Sequence, residues 1–153
     1  MKPAAGVLPW DVDAPPFDPR DTSNRAALST RQMAERFIQL FYVEDDPRDA
    51  FLCWMHPDYI QHTPHAPPGR DATLARLEAS IARNPELSHE VKRVVWGDAD
   101  LVAVHFHFRR EADHPGYAIV DILRVEDGYI REHWDVMQEV PDPSTAKNSN
   151  GVF

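Results

Sequence analysis

Two aspartates and a histidine stand in this chain where β-strands ordinarily bury apolar side chains. The runs Tyr117 to Val125 and Tyr129 to Val136 are rich in β-branched and aromatic residues and flank Glu126-Asp127-Gly128, the pattern of a hairpin. Asp121 lies in the first run, and Arg131, His133 and Asp135 lie in the second. A carboxylate in an apolar surrounding can take a proton from a carbon beside a carbonyl and return it elsewhere, and a neighbouring histidine can hold that carboxylate in position. Register decides whether the groups meet. A three-residue loop with Gly128 at the left-handed bulge position pairs Val125 with Tyr129, sets Asp121 opposite His133 and puts Asp135 opposite Ile119 on the same face. A two-residue Asp127-Gly128 turn instead faces Asp121 with Trp134 and separates the aspartates. The first is favoured, because Glu126 before Asp127-Gly128 suits a type I turn closed by a left-handed glycine. That register gathers Asp121, Arg131, His133 and Asp135.

The elements that must carry this hairpin follow from periodicity. Residues 1–22 hold five prolines among many charges and read as an extended or disordered arm, with Trp10 and Phe17 available to anchor it on a partner subunit. Ser29 with Gln32 three residues on forms a capping box, and Met33, Phe37, Leu40 and Phe41 give an amphipathic helix. Asp46 as cap and Pro47 at the first helical position open a short second helix with Ala50, Phe51 and Trp54 inside. A brief extended run, Tyr59 to His62, precedes a third helix marked by Leu74, Leu77 and Ile81. The period then changes to two, giving strands over His89 to Trp96, Leu101 to Arg109 and the hairpin. Helices first and strands afterwards define an α+β domain over 23–140, with helices on one side of a curved antiparallel sheet and a polar tail over 141–153.

Composition narrows the function classes. Sixteen basic against 25 acidic residues give a net charge of -9, which repels a phosphate backbone, and no basic run is interleaved with aromatics, so nucleic acid is not expected as a partner. Cys53 is the one cysteine, which excludes an intramolecular disulfide and a cysteine-based zinc site and suits a reducing, cytoplasmic setting. No apolar stretch is long enough to span a bilayer, so the chain reads as having no membrane partner. No Gly-rich phosphate loop or other cofactor fingerprint occurs, and no cofactor is expected.

Three stretches together resemble the SnoaL-like polyketide cyclase family, in its branch described as predicted aldol-condensation-catalysing proteins. They are Tyr59-Ile60-Gln61-His62-Thr63-Pro64-His65 with Gly69, Asp100 to Phe108, and Ile119 to Val140 through Glu132-His133-Trp134-Asp135. The resemblance runs from about residue 24 to 153. It implies a cystatin-like, cone-shaped α+β barrel shared with ketosteroid isomerase and nuclear-transport-factor-like proteins, a homodimer, and a pocket between sheet and helices. It also implies a lyase or isomerase type of activity on a small apolar carbonyl compound, by aldol cyclisation, isomerisation or dehydration. Asp135 matches the family's last-strand aspartate, the general acid and base. Asp121 stands where the family carries a pocket histidine, Ile119 replaces a pocket glutamine, and Gln61 takes the place of a pocket asparagine. His62 and His65 have no family counterpart.

On β-strand alternation, His105 and His107 share one face with Ala103, and Val102, Val104, Phe106 and Phe108 share the other. Burying the valine and phenylalanine row is the ordinary assignment. The resemblance favours the reverse, with the apolar row at a dimer interface and the histidines in the pocket. The expected site therefore comprises Asp135, Asp121 and His133 as catalytic groups and His105, His107, Gln61, Tyr59 and His62 as ligand-binding groups. Tyr59 and Gln61 point to one side of their strand and His62 to the other, so all three meet only if the backbone is irregular. Two further readings stay open: a non-catalytic ligand-binding or dimerisation module, and a zinc or iron site built from the histidines with Asp121 and Asp135.

Overall fold

The computed structural model describes residues 6–153. Three helices, α1 (Thr30–Ile38), α2 (Pro47–Trp54) and α3 (Arg70–Arg83), lie with five strands: β1 (Met55–Gln61), β2 (Ser88–Trp96), β3 (Leu101–Arg109), β4 (Tyr117–Glu126) and β5 (Tyr129–Glu139). The strand order is β1-β5-β4-β3-β2. All neighbours are antiparallel except β1, which runs parallel to β5, so the sheet is mixed rather than purely antiparallel. The extended run expected at Tyr59 to His62 thus belongs to an edge strand that joins the end of the hairpin.

Local chemistry sets the helix starts as the sequence suggests. The Ser29 hydroxyl accepts from the Gln32 amide and the Gln32 side chain accepts from the Ser29 amide, a closed capping box. Asp46 accepts from the Asp49 amide with Pro47 behind it. Met33, Ala34, Phe37 and Ile38 form the inner face of α1 and are buried, each larger side chain contributing about 1.5–3 kcal/mol. After Ile38 the helix widens into a π turn over Gln39–Val43. The extra residue rotates Tyr42 inward beside Phe37 and Phe41 instead of leaving it off the stripe.

The described part of the N-terminal arm is ordered against these helices. The Trp10 indole N–H donates to Gln39 Oε1 at 2.8 Å, the Trp54 indole N–H donates to the Pro19 carbonyl at 2.7 Å, and Arg20 reaches Glu44, Asp46 and Asp49. Trp10 and Phe17 pack edge to face on each other, 5.6 Å between centroids, and so anchor the arm to its own chain. Residues 1–5 of the expected arm lie outside the described residues. At the other end, the Phe153 ring rests on His107 and His105, across the sheet face that the helices leave open.

The hairpin departs from the favoured register. Glu126 pairs with Tyr129 around a two-residue turn in which Asp127 and Gly128 both have positive φ, 53° and 74°. That is the mirror-image turn that matches strand twist. A bulge then shifts the ladder between Val125, paired with Ile130, and Arg124, paired with Glu132, leaving Arg131 as the extra residue. Beyond it Asp121 stands opposite Asp135, and His133 opposite Leu123. The bulge lies two residues into β5 rather than in the loop. Asp121, His133 and Asp135 still share a face, but in a different arrangement, and Arg131 leaves them for Glu126.

Candidate active site

A cavity of about 320 Å³ lies between the helices and the inner sheet face. Strand alternation delivers its floor. Val104, Asp121 and Asp135 form one row across β3, β4 and β5, with Leu123, His133 and Gln61 in the next row toward β1. On the other side come Phe106, Ile119 and Met137, then Phe108 and Tyr117. One polar band therefore crosses an otherwise apolar floor. The third helix adds Thr73, Arg76, Leu77, Ser80 and Ile81, spaced three and four apart on one side of α3.

Within the band a hydrogen-bond chain has its direction fixed at both ends. The Thr63 amide, which can only donate, is 3.0 Å from Gln61 Oε1, so that atom is the acceptor. His133 Nδ1, 2.7 Å from the same oxygen, must then carry a proton. Gln61 Nε2 donates to the Tyr59 hydroxyl at 2.8 Å, which donates to Thr73 Oγ1 at 2.9 Å, which donates to the Pro67 carbonyl at 2.9 Å. On its other side His133 Nε2 meets Asp121 Oδ1 at 3.1 Å, and the Tyr42 hydroxyl donates to Asp121 Oδ2. Asp121 is 8 % exposed, and both its oxygens are engaged.

Electrostatics follow this wiring. Burial alone would lower the His133 pKa, but the charge and hydrogen bond of Asp121, helped by the charge of Asp135, outweigh it and raise it above 6.5. Asp121 thereby favours a second proton on Nε2, with which the ring would bridge Gln61 and Asp121 through both N–H groups. Burial raises the Tyr42 pKa well above 10.0, and Asp121 and Asp135 raise it further, so the phenol stays protonated and serves as a donor. Asp135, in contrast, makes no hydrogen bond or ion pair to any described residue. It lines the cavity directly opposite the fully committed Asp121.

The cavity thus brings together Asp121, His133, Asp135, Gln61 and Tyr59 from the expected set. It does not take in His105, His107 or His62. The valine and phenylalanine row of β3 faces the helices, with Val102, Val104 and Phe106 buried, which turns His105 and His107 to the opposite face. There His107 Nε2 bonds the Pro115 carbonyl at 2.7 Å, and burial lowers the His105 pKa. The aromatic row has the larger area to remove from water, and the helices are what cover it. His62 is turned outward by alternation along β1, stacked on Trp134 and 2.8 Å from Glu132. Histidines on opposite faces do not converge, and among the described residues no group of three or more His, Cys, Asp or Glu is placed to hold a metal ion. The zinc or iron arrangement is not assembled.

Tyr42 is the cavity residue that sequence reasoning misses. Its signal is absent from a 3.6-residue stripe, because the π turn shifts it by one position. His89, which lines the cavity and lies 3.1 Å from Asp45, is another, as are Arg76 and Arg110; His89 sits near the start of β2 as an ordinary half-buried residue.

Comparison with known proteins agrees with this architecture. The sequence matches the SnoaL-like domain family over residues 34–133. Among solved structures it is similar to TsrD from Streptomyces laurentii, at 25% identity and a TM-score of 0.54 over 70% of this chain and 89% of that one. It is likewise similar to an NTF2-like protein of unknown function from Mesorhizobium loti, at 25% identity and TM-score 0.55 over 77% and 94% of the two chains. An uncharacterized cystatin fold protein from Novosphingobium aromaticivorans shares the fold at 18% identity, TM-score 0.57, over 71% and 98%. No curated protein matches the sequence. With the family's domain covering most of the chain and its α+β cystatin fold present in three dimensions, the protein belongs to the SnoaL-like family.

Proposed function

We propose that the cavity performs acid-base chemistry at a carbon next to a carbonyl, with Asp135 as the base and acid. The observation that carries this reading is the unbonded carboxyl of Asp135 in an apolar cavity, beside an Asp121 that is already tied to Tyr42 and His133. Asp135 takes a proton from the substrate carbon, and the electron pair moves onto the carbonyl oxygen as an enolate. The proton then returns at another atom while the enolate attacks a second carbonyl, rearranges or expels a hydroxyl, giving aldol cyclisation, isomerisation or dehydration. His133 lines the same band, and its imidazole, whose charged form Asp121 favours, adds positive charge beside the developing oxyanion. Gln61 and Tyr59, expected as ligand-binding groups, hold His133 in place.

The same reading assigns the open sheet face, with Val120, Ile122, Trp134 and Val136 in adjoining rows, to a second copy of the chain, as in the homodimers the resemblance implies. It places the chain in the cytoplasm. Among the described residues no helix is long and apolar enough to cross a membrane.

Proton abstraction is tested without knowing the natural substrate. A panel of cyclic and aryl ketones incubated with the protein in D2O is followed by mass spectrometry for deuterium at the carbon beside the carbonyl. Exchange above buffer that disappears in Asp135→Asn supports the assignment. Saturable binding of a ketone with no exchange would leave a non-catalytic binding module.

A further inference from the structure

The cavity lining includes two arginines that the proton-transfer chemistry does not use. Arg110 directly follows the last β3 residue, Arg109, two positions beyond Phe108, and Arg76 lies on α3 one turn past Thr73. Both line the cavity and both are exposed. Neither has an ion-pair or hydrogen-bond partner among the described residues. Arg20, Arg31, Arg48, Arg70 and Arg124 each hold a carboxylate, whereas Arg76 and Arg110 face the cavity without one in a chain of net charge -9. The rim contains one carboxylate, Asp45, and His89 lies 3.1 Å from it. The strand ladder sets the separation from the chemistry. Tyr117, paired with Phe108 two residues before Arg110, is four residues from Asp121 along β4, roughly 13 Å at the usual rise. Ile119, Phe106, Phe108 and Tyr117 fill that interval with apolar surface.

We infer that the ligand is a keto acid: a carbonyl end at the Asp121–Asp135 band, an apolar stretch over Ile119 and Phe106, and a carboxylate at the rim held by Arg76 and Arg110. Planar guanidinium groups match a carboxylate with paired N–H donors and keep their charge at all working pH values. Repulsion from Asp121 and Asp135 enforces the orientation, because an acid end driven inward would meet like charges. This inference rests on the cavity being the ligand site proposed above and adds the substrate's second functional group.

The probes are 11-oxododecanoate, whose carbonyl and carboxylate lie about as far apart as the two polar ends of the cavity, and its methyl ester. Binding is measured by isothermal titration at low salt, where exposed charges act over their longest range. The acid is expected to bind at least about tenfold more tightly than the ester, equivalent to about 1.4 kcal/mol. In the Arg76→Gln, Arg110→Gln double variant this preference is expected to vanish, with ester affinity within about twofold of wild type. Equal binding of acid and ester, retention of the preference in the double variant, or no saturable binding of the acid at millimolar concentration would each overturn the inference. The deuterium-exchange experiment reads the other question separately. An arginine-dependent preference for the acid with no exchange keeps the keto acid and removes the catalytic reading; exchange without the preference does the reverse.

Discussion

Asp121 and Asp135 face each other directly across β4 and β5, yet the fold binds one and leaves the other open. Tyr42 and His133 take both oxygens of Asp121, and Asp135 keeps its own for whatever enters the cavity. Two identical side chains on neighbouring strands thus have separate tasks, set by what the adjoining elements bring to each.

Asp135→Asn is expected to lower ketone exchange by at least ~100-fold, the range for loss of a positioned general base. Because Asp135 has no hydrogen bond among the described residues, its thermal midpoint should stay within about 2 °C of wild type. Exchange rates and differential scanning calorimetry on the same preparation check both parts. An active variant would remove Asp135 from the mechanism.

Asp121→Ala should behave in the opposite way. It strands the Tyr42 hydroxyl and the His133 N–H in a buried site, and each unsatisfied group costs about 1–3 kcal/mol. A large fall in urea stability is the expected result. Tyr42→Phe, which leaves one Asp121 oxygen without its donor, should cost less than Asp121→Ala by the same measurement.

His133 should titrate above 6.5 when its ring protons are followed by NMR. Since the folded-state pKa is raised, its stabilising contribution is complete below the unfolded value and is lost as pH rises through the folded one. Asp121→Asn is expected to bring the titration down, because Asp121 supplies the largest upward influence. An unchanged titration in that variant would contradict the assigned pairing.

Gly128→Ala tests the turn. Gly128 has φ +74°, and an added Cβ would come 2.5 Å from the Arg25 carbonyl oxygen. The variant should lose more than about 1 kcal/mol in denaturant unfolding, beyond the ordinary cost of a left-handed non-glycine residue. Asp127→Gly, at φ +53° in the same turn, should be neutral or stabilising.

The helices and strands are legible because each rests on a local signal: the Ser29 capping box, Pro47 after Asp46, and alternation through β3 and β4. The membership of Asp121, His133 and Asp135 in one face is legible for the same reason. What the sequence leaves open depends on choices made between elements. Alternation says that His105 and Phe106 point apart, but only the placement of the helices decides which of them meets the cavity. The bulge at Arg131 and the π turn before Glu44 each insert one residue into a regular ladder, and neither position bears a glycine or proline to mark it. Asp121 opposite Asp135 and Tyr42 against Asp121 are the two contacts that depend on those insertions.

Arg131 makes no contact with the cavity, yet its bulging out of the ladder determines which face of β5 the ligand meets. A regular ladder through Arg131 would pair Asp121 with Trp134, carry Trp134 and Val136 inward and turn His133 and Asp135 out, with no change in composition. The irregularity between the turn and His133 is as much a part of this site as the side chains themselves.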